Sequence, residues 1–289
     1  MITKLESDVT FTPTAGTLSF GKATLDPTTV SAPGYISMSI TPAHGLIPSD
    51  SPSLAIELPV DFEVVGQCSG PTKNDLFGTG RTCTGDPTKN SITVESLVSR
   101  RYTGGNELSF TIGPVKLPRT TAGGKGEFKI TTYVKDAVTS ETYPVDTGKG
   151  SLPFQITPGG FESASVTPGS LNAFVKAKYT FKIKPSHSIP QYGLIMVEYP
   201  EQIRIEDASL SQTLCESWQN FPSEAAVCTI FPANRTILVN KGFQAGEGGA
   251  SGFTEYSWVV PYVTNPAKLL ETNSFKITTR DQYFNLIDS

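Results

Sequence analysis

Tyr179-Thr180-Phe181-Lys182-Ile183-Lys184 alternates a large apolar residue with a polar one at every step. A period of two is that of a strand with one face in a core and the other in water, because successive side chains on a strand point to opposite faces. A helix would need its apolar residues three and four apart. The same alternation runs through Leu54-Ala55-Ile56-Glu57-Leu58, Ile195-Met196-Val197-Glu198-Tyr199 and Ser274-Phe275-Lys276-Ile277-Thr278-Thr279. Pro, Gly, Asn and Asp bound these runs. Gly (26) and Pro (22) make up about a sixth of the 289 residues, which leaves little room for long helices. Two packed antiparallel sheets bury such faces, so the pattern predicts an all-β chain of β-sandwich modules, compatible with an immunoglobulin-like topology whose strand order the pattern does not encode. The one weak helix candidate is Glu216 to Ala226.

Working outward from the opening stretch, the chain repeats itself. Phe128-Lys-Ile-Thr-Thr132 returns as Phe275-Lys-Ile-Thr-Thr279, 147 positions on. Ile36, Met38, Ile40, Pro42 and His44 are matched by Tyr179, Phe181, Ile183, Pro185 and His187, 143 positions on. Leu54, Ile56 and Glu57 are matched by Ile195, Val197 and Glu198, and Cys83, Ile92 and Val94 by Cys228, Ile237 and Val239. Leu108, Phe110 and Ile112 fit Tyr256, Trp258 and Val260 only at an offset of 148, a slip that a one-residue bulge would produce. The expectation is two tandem sandwiches, residues 22–160 and 161–289, joined at Thr157-Pro158-Gly159-Gly160. Residues 1–21 then read as a linker or the end of a preceding repeat, with Ile2-Thr3 closing an earlier Lys-Ile-Thr-Thr strand.

Charge and hydropathy exclude several functions. The net charge is −4 with acids and bases interspersed, and no basic stripe is present to neutralise a row of phosphates, which argues against nucleic acid. No apolar run approaches the roughly 20 residues of a membrane helix, so no membrane insertion is expected in this segment. Met1 to Asp8 lacks the apolar centre of a signal peptide, and the repeat suggests that residue 1 is not the natural start. No G-x-S-x-G, phosphate loop or Cys–His pair with an orienting acid occurs, so no catalytic residue, cofactor or metal is assigned.

Four cysteines fall in two pairs, Cys68 with Cys83 and Cys215 with Cys228. Four allow three connectivities; the repeat favours the two local bridges over free thiols or zinc, and persistent bridges imply an oxidising compartment. His44 and His187 sit in equivalent turns, where a ring nitrogen bonding the backbone is the expected role. Asn234-Arg235-Thr236 is an N-glycosylation sequon in a turn. Trp218, between two cysteines, is expected to pack over the disulfide, or to contact a ligand if exposed; Tyr102 and Tyr192 are further aromatic candidates. Asp136, Glu141, Asp146, Asp281 and Asp288 lie near module ends, where a solvated acidic face is a simpler reading than calcium. Thr121 to Gly126 and Gly246 to Gly252 read as hairpin tips.

Ile183-Lys-Pro-Ser-His-Ser-Ile-Pro-Gln-Tyr-Gly-Leu-Ile-Met-Val-Glu-Tyr-Pro200 resembles a repeated element of very large cysteine-containing surface proteins of protists, ciliates especially. The first copy keeps the order more loosely, with Asp50-Ser51-Pro52 intervening and no glycine in that place. The resemblance implies tandem immunoglobulin-like modules and a surface or filament role, and carries over no catalytic residue. The expected function is a structural segment of an extracellular fibre, filament or cell-surface coat. Its partners would be other copies or neighbouring repeats, with outward lysines protecting edge strands such as Tyr179 to Lys184. The alternative is an adhesive module that binds carbohydrate or a receptor.

Overall fold

The computed structural model describes residues 14–69, 82–151, 154–205, 215–244, 254–267 and 272–289, with the side chains of 66–69 left aside. The chain is all-β; its described helical turns are short 3-10 segments such as Pro48–Asp50 and Pro232–Asn234. By contact it divides into two compact units. One comprises Met1–Asp26, Pro33–Lys116 and Lys125–Pro153; the other comprises Pro27–Ala32, Leu117–Gly124 and Phe154–Ser289.

The first unit contains β1 (Gly16–Asp26), β2 (Pro33–Pro42), β3 (Ser53–Glu57), β4 (Glu63–Ser69), β5 (Cys83–Asp86), β6 (Ser91–Val94), β7 (Leu108–Lys116), β8 (Glu127–Lys135) and β9 (Thr142–Ser151). Pairing closes on itself in the order β1-β2-β7-β4-β5-β6-β3-β8-β9, so this unit is a closed barrel rather than an open sandwich. Two strands serve both faces. β1 pairs parallel with β9 at Gly16 and Thr17, then antiparallel with β2 from Leu18 onward. β4 pairs with β7 and, at Gln67 opposite Thr84, with β5. Alternation along a strand predicts which face is buried and does not predict which strands are shared.

The second unit contains β10 (Phe161–Pro168), β11 (Lys176–Pro185), β12 (Leu194–Glu198), β13 (Arg204–Ile205), β14 (Glu216–Gln219), β15 (Val227–Phe231), β16 (Thr236–Asn240), β17 (Tyr256–Thr264), β18 (Lys276–Arg280) and β19 (Leu286–Asp288). One sheet runs β10-β11-β17-β13 with β14 also on β17, and the other runs β15-β16-β12-β18-β19. Between them Phe181 stacks on Trp258 with ring centroids 5.2 Å apart, and Phe221, Phe243 and Tyr256 pack edge-on or tilted around them. Each such ring, fully buried, contributes roughly 1.5–3 kcal/mol of transfer free energy.

Strand registers recur at the sequence offsets. Met38 faces Phe110 and Ile36 faces Ile112, as Phe181 faces Trp258 and Tyr179 faces Val260. Leu54 stands between Val94 and Thr132, as Ile195 stands between Val239 and Thr279. A bulge does interrupt both β2–β7 and β11–β17, but it lies beyond Ile112 and Val260. The slip to 148 therefore comes instead from the longer connection between β16 and β17.

Three local expectations are overturned. Tyr179 to Lys184 is central, flanked by β10 and β17, so its outward lysines guard no edge. Glu216–Gln219 is a strand on β17, not a helix. Ser217 and Asn220 have φ of 56° and 64°, left-handed values that a right-handed helix does not accommodate. Thr121 to Gly126 is not a hairpin tip, because β7 pairs with β2 and β4 while β8 pairs with β3 and β9. Gly246 to Gly252 lies outside the described residues.

Candidate functional site

The most organised polar cluster in each unit is built from a glycine, a histidine, an aspartate and a threonine. In the first unit His44 follows the end of β2, and its Nδ1 lies 2.7 Å from Asp146 Oδ1 in β9. The His44 backbone N–H donates to Asp146 Oδ2 at 3.0 Å. The Asp146 N–H donates to the Thr132 hydroxyl of β8 at 3.0 Å. Gly16, at the start of β1, lies so close that a Cβ there would overlap the His44 ring and Asp146 Oδ1.

The second unit repeats the arrangement. His187 Nδ1 lies 2.7 Å from Asp288 Oδ1, and the Thr279 hydroxyl donates to Asp288 Oδ2 at 3.0 Å. Gly159 bridges Asp288 in parallel register, and a Cβ on it would overlap His187 and Asp288. Both aspartates are fully buried. An ionised carboxylate accepts only, so each imidazole carries its proton on Nδ1. The expected ring-to-backbone bond is thus replaced by a ring-to-carboxylate bond. A buried carboxylate needs such donors, because desolvation without them is costly.

Chemically this is a clasp. The carboxylate ties the last strand to the turn after the second strand, and backbone pairing holds Gly16 or Gly159 against the aspartate. Thr279 points its hydroxyl at the carboxylate rather than at the imidazole, so the set does not line up nucleophile, base and orienting acid. Among the described residues no three His, Cys, Asp or Glu side chains are grouped to hold a metal ion. Asp136 and Asp281 each accept backbone N–H bonds within their own turns, from Val138 and Thr139 and from Tyr283 and Asn285. Those bonds hold the Asp136 carboxyl below its ordinary range. Sequence reading named the histidines and aspartates separately and missed that they meet. The available signal was that Gly16, His44 and Asp146 recur as Gly159, His187 and Asp288 within a one-residue change of offset.

Cys215 and Cys228 form a disulfide with Cα atoms 5.8 Å apart. Cys83 is disulfide-bonded, and the Gln67–Thr84 pair sets β4 antiparallel to β5, while the Cys68 side chain lies outside the described residues. Trp218 is half-buried, packed on the core edge-to-face with Phe221 at 5.1 Å. Tyr102 is buried and donates to backbone carbonyls of Pro42 and Asn106, so it is no surface aromatic, and burial raises its phenol pKa. Tyr192 is exposed. Asn234 is exposed at the end of its 3-10 turn, just before β16. No described helix is long and apolar enough to cross a membrane.

These features define an all-β, disulfide-containing protein with a clasp in each unit. No protein-family model matches the chain, and no curated protein matches it. Among solved structures it is similar to the C-terminal domain of the antigen I/II-family protein AspA of Streptococcus pyogenes, at 9% identity over 96% of this chain and 98% of that one, TM-score 0.32. It is also similar to domains D2 and D3 of the major pilin SpaD of Corynebacterium diphtheriae, at 9% identity over 91% and 82%, TM-score 0.30. A third is the collagen adhesin of S. aureus, at 12% identity over 93% and 89%, TM-score 0.25.

Proposed function

We propose that the chain is a non-catalytic structural segment of an extracellular fibre, filament or surface coat, made of two tandem copies of one β-module at 22–160 and 161–289. The observation that supports the reading is a recurrence: residues at corresponding sequence positions pair in the same register and close the same kind of clasp in both units. A module repeated with its internal bracing intact suits a load-bearing or spacing role better than a single binding event. The Cys215–Cys228 bridge supports an oxidising, extracellular setting. Cys68 pairing with Cys83 and a glycan on exposed Asn234 belong to the same proposal, and so does the surface role implied by the resemblance to protist proteins. Its partners are other copies of the chain or neighbouring repeats.

Electron microscopy of the protein in its native source tests this. Fibres or a coat with an axial repeat of one or two modules are expected. Discrete soluble particles would remove the reading and turn attention to ligand screening, where Trp218→Ala in a glycan panel tests the adhesive alternative.

A further inference from the structure

The turn that joins β15 to β16 has a counterpart between β5 and β6, and the two are built from different side chains. Phe231 stands directly across from Thr236, with Pro232, Ala233, Asn234 and Arg235 between them. In the first copy Asp86 stands across from Ser91, with Pro87, Thr88, Lys89 and Asn90 between them. Both turns close on a residue with left-handed backbone, Asn90 at φ 48° and Arg235 at φ 51°. The carbonyl of that residue accepts a backbone N–H in both, from Leu58 in one and from Tyr199 in the other. Position by position, Phe231 therefore corresponds to Asp86, Asn234 to Lys89 and Thr236 to Ser91, at one offset of 145.

In the first copy the side chains at the first and fourth of these places meet. Asp86 Oδ1 accepts the backbone N–H groups of Thr88 and Lys89 at 2.9 and 3.2 Å, and Lys89 Nζ lies 3.7 Å from Asp86 Oδ2. Phenylalanine can neither accept such bonds nor pair with a charge, so the second copy has lost this bracing. Phe231 lies on the outward face, because it alternates with buried Cys228 and Ile230 along β15. Its side chain is 44% exposed and makes no ring contact among the described residues. Asn234 is exposed too, and its side-chain amide makes no hydrogen bond among the described residues.

The sequence supplies what would lie between the ring and the amide. Asn234-Arg235-Thr236 is an acceptor for N-linked sugar. The Thr236 hydroxyl donates to the Asn234 backbone carbonyl at 3.1 Å, tying the first residue of β16 to the acceptor asparagine. A sugar on Asn234 starts from the place that Lys89 holds in the first copy, and from that place a side chain reaches the residue three positions back. One face of a pyranose ring presents a row of C–H groups. These carry the partial positive charge that the negative face of an aromatic ring attracts, and both surfaces shed water on contact.

We propose that Asn234 bears an N-linked glycan whose first N-acetylglucosamine packs on the Phe231 ring, taking over in the second copy the bracing that Asp86 and Lys89 give the first. In the transfer, Asn234 Nδ2 forms a bond to C1 of that sugar, and the bond from C1 to the oxygen of a lipid-diphosphate donor breaks. The lipid diphosphate leaves with the electron pair, and the amide gives up one proton. The inference deepens the reading above by giving the glycan a structural contact, and it rests on the extracellular setting of that reading.

The full chain, secreted from a eukaryotic cell line, is compared with its Asn234→Gln, Phe231→Ser and doubly substituted forms. Mass spectrometry should find a glycan on Asn234 of the unsubstituted chain and none after Asn234→Gln. Amide hydrogen exchange then reads the hairpin, using only the occupied fraction of each glycosylated form. With Phe231 present, the glycan should slow exchange across Val227–Phe231 and Thr236–Asn240 by about two- to tenfold, the size of one aromatic contact. With Phe231→Ser, an exposed position whose change leaves the core intact, the glycan should leave exchange unaltered. Trimming to a single N-acetylglucosamine should keep the whole effect. An unoccupied Asn234 in the secreted chain overturns the proposal and leaves the assembly reading standing, since microscopy of the native fibres decides that separately. A glycan that slows exchange equally with and without Phe231, or not at all, overturns the packing while the glycan itself stands. Loss of the effect on trimming places the contact on outer sugars and overturns it as well.

Discussion

At the scale of single residues the two clasps are alike in design and unequal in setting. The His44 side chain is 60% exposed and the His187 side chain 19%. His44→Ala leaves Asp146 a backbone N–H donor, whereas His187→Ala leaves Asp288 chiefly the neutral Thr279 hydroxyl. Both changes should destabilise by about 1–3 kcal/mol, with His187→Ala the costlier, in urea unfolding of each variant. Equal costs would mean that burial of the imidazole does not matter. Gly159→Ala places a methyl where His187 and Asp288 already sit, and should cost about 1–3 kcal/mol by the same measurement. Tyr256 adds a pH dependence. Burial pushes its phenol pKa up to about 12. The folded value lies above the unfolded one near 10, so the neutral phenol's contribution is fully present below that pH and is lost as pH rises from about 10 toward 12. Tyr256→Phe should flatten that alkaline loss, read by unfolding at a series of pH values.

Individual elements show where local pattern and tertiary demand part company. β14 is short and irregular, and its neighbour in sequence is a cystine. Its place on β17 is defended by the bridge, by the Lys178–Glu216 ion pair and by Trp218 packing on Phe221. Replacing Cys215 and Cys228 together by serine should cost about 3 kcal/mol in the chain-entropy account of a loop near this length. It should also raise amide exchange at Glu216–Gln219 before the rest of β17. Uniform loss of protection across the sheet would show instead that the bridge acts on the whole unit. The helix expectation for Glu216 to Ala226 failed because helical propensity is a weak prior beside a covalent tie and a free strand edge.

For the molecule as a whole, the proposed role is decided by association rather than by chemistry at one site. A chain that stays a monodisperse monomer at high concentration in light scattering would weigh against assembly through these modules. Concentration-dependent growth is the expected result. The two units also differ in closure. The first is a barrel with β9 along all of β8, and the described strands of the second form two sheets.

Strand class and the recurrence of the two halves were legible in the sequence, because a period of two and a repeated run such as Phe-Lys-Ile-Thr-Thr are properties of neighbours along the chain. The cysteine spacing and the exposed sequon were legible for the same reason. The clasp was not, since His44 and Asp146 are far apart in sequence and meet only when β9 is laid beside β1. Nor was the centrality of Tyr179 to Lys184. Alternation says that one face is wet and is silent on whether another strand occupies the edge. Barrel closure in the first unit and the two-sheet pairing of the second belong to the same category. They depend on which strands hydrogen-bond across long loops, and main-chain pairing is blind to residue type until side chains from distant segments are brought to the same face.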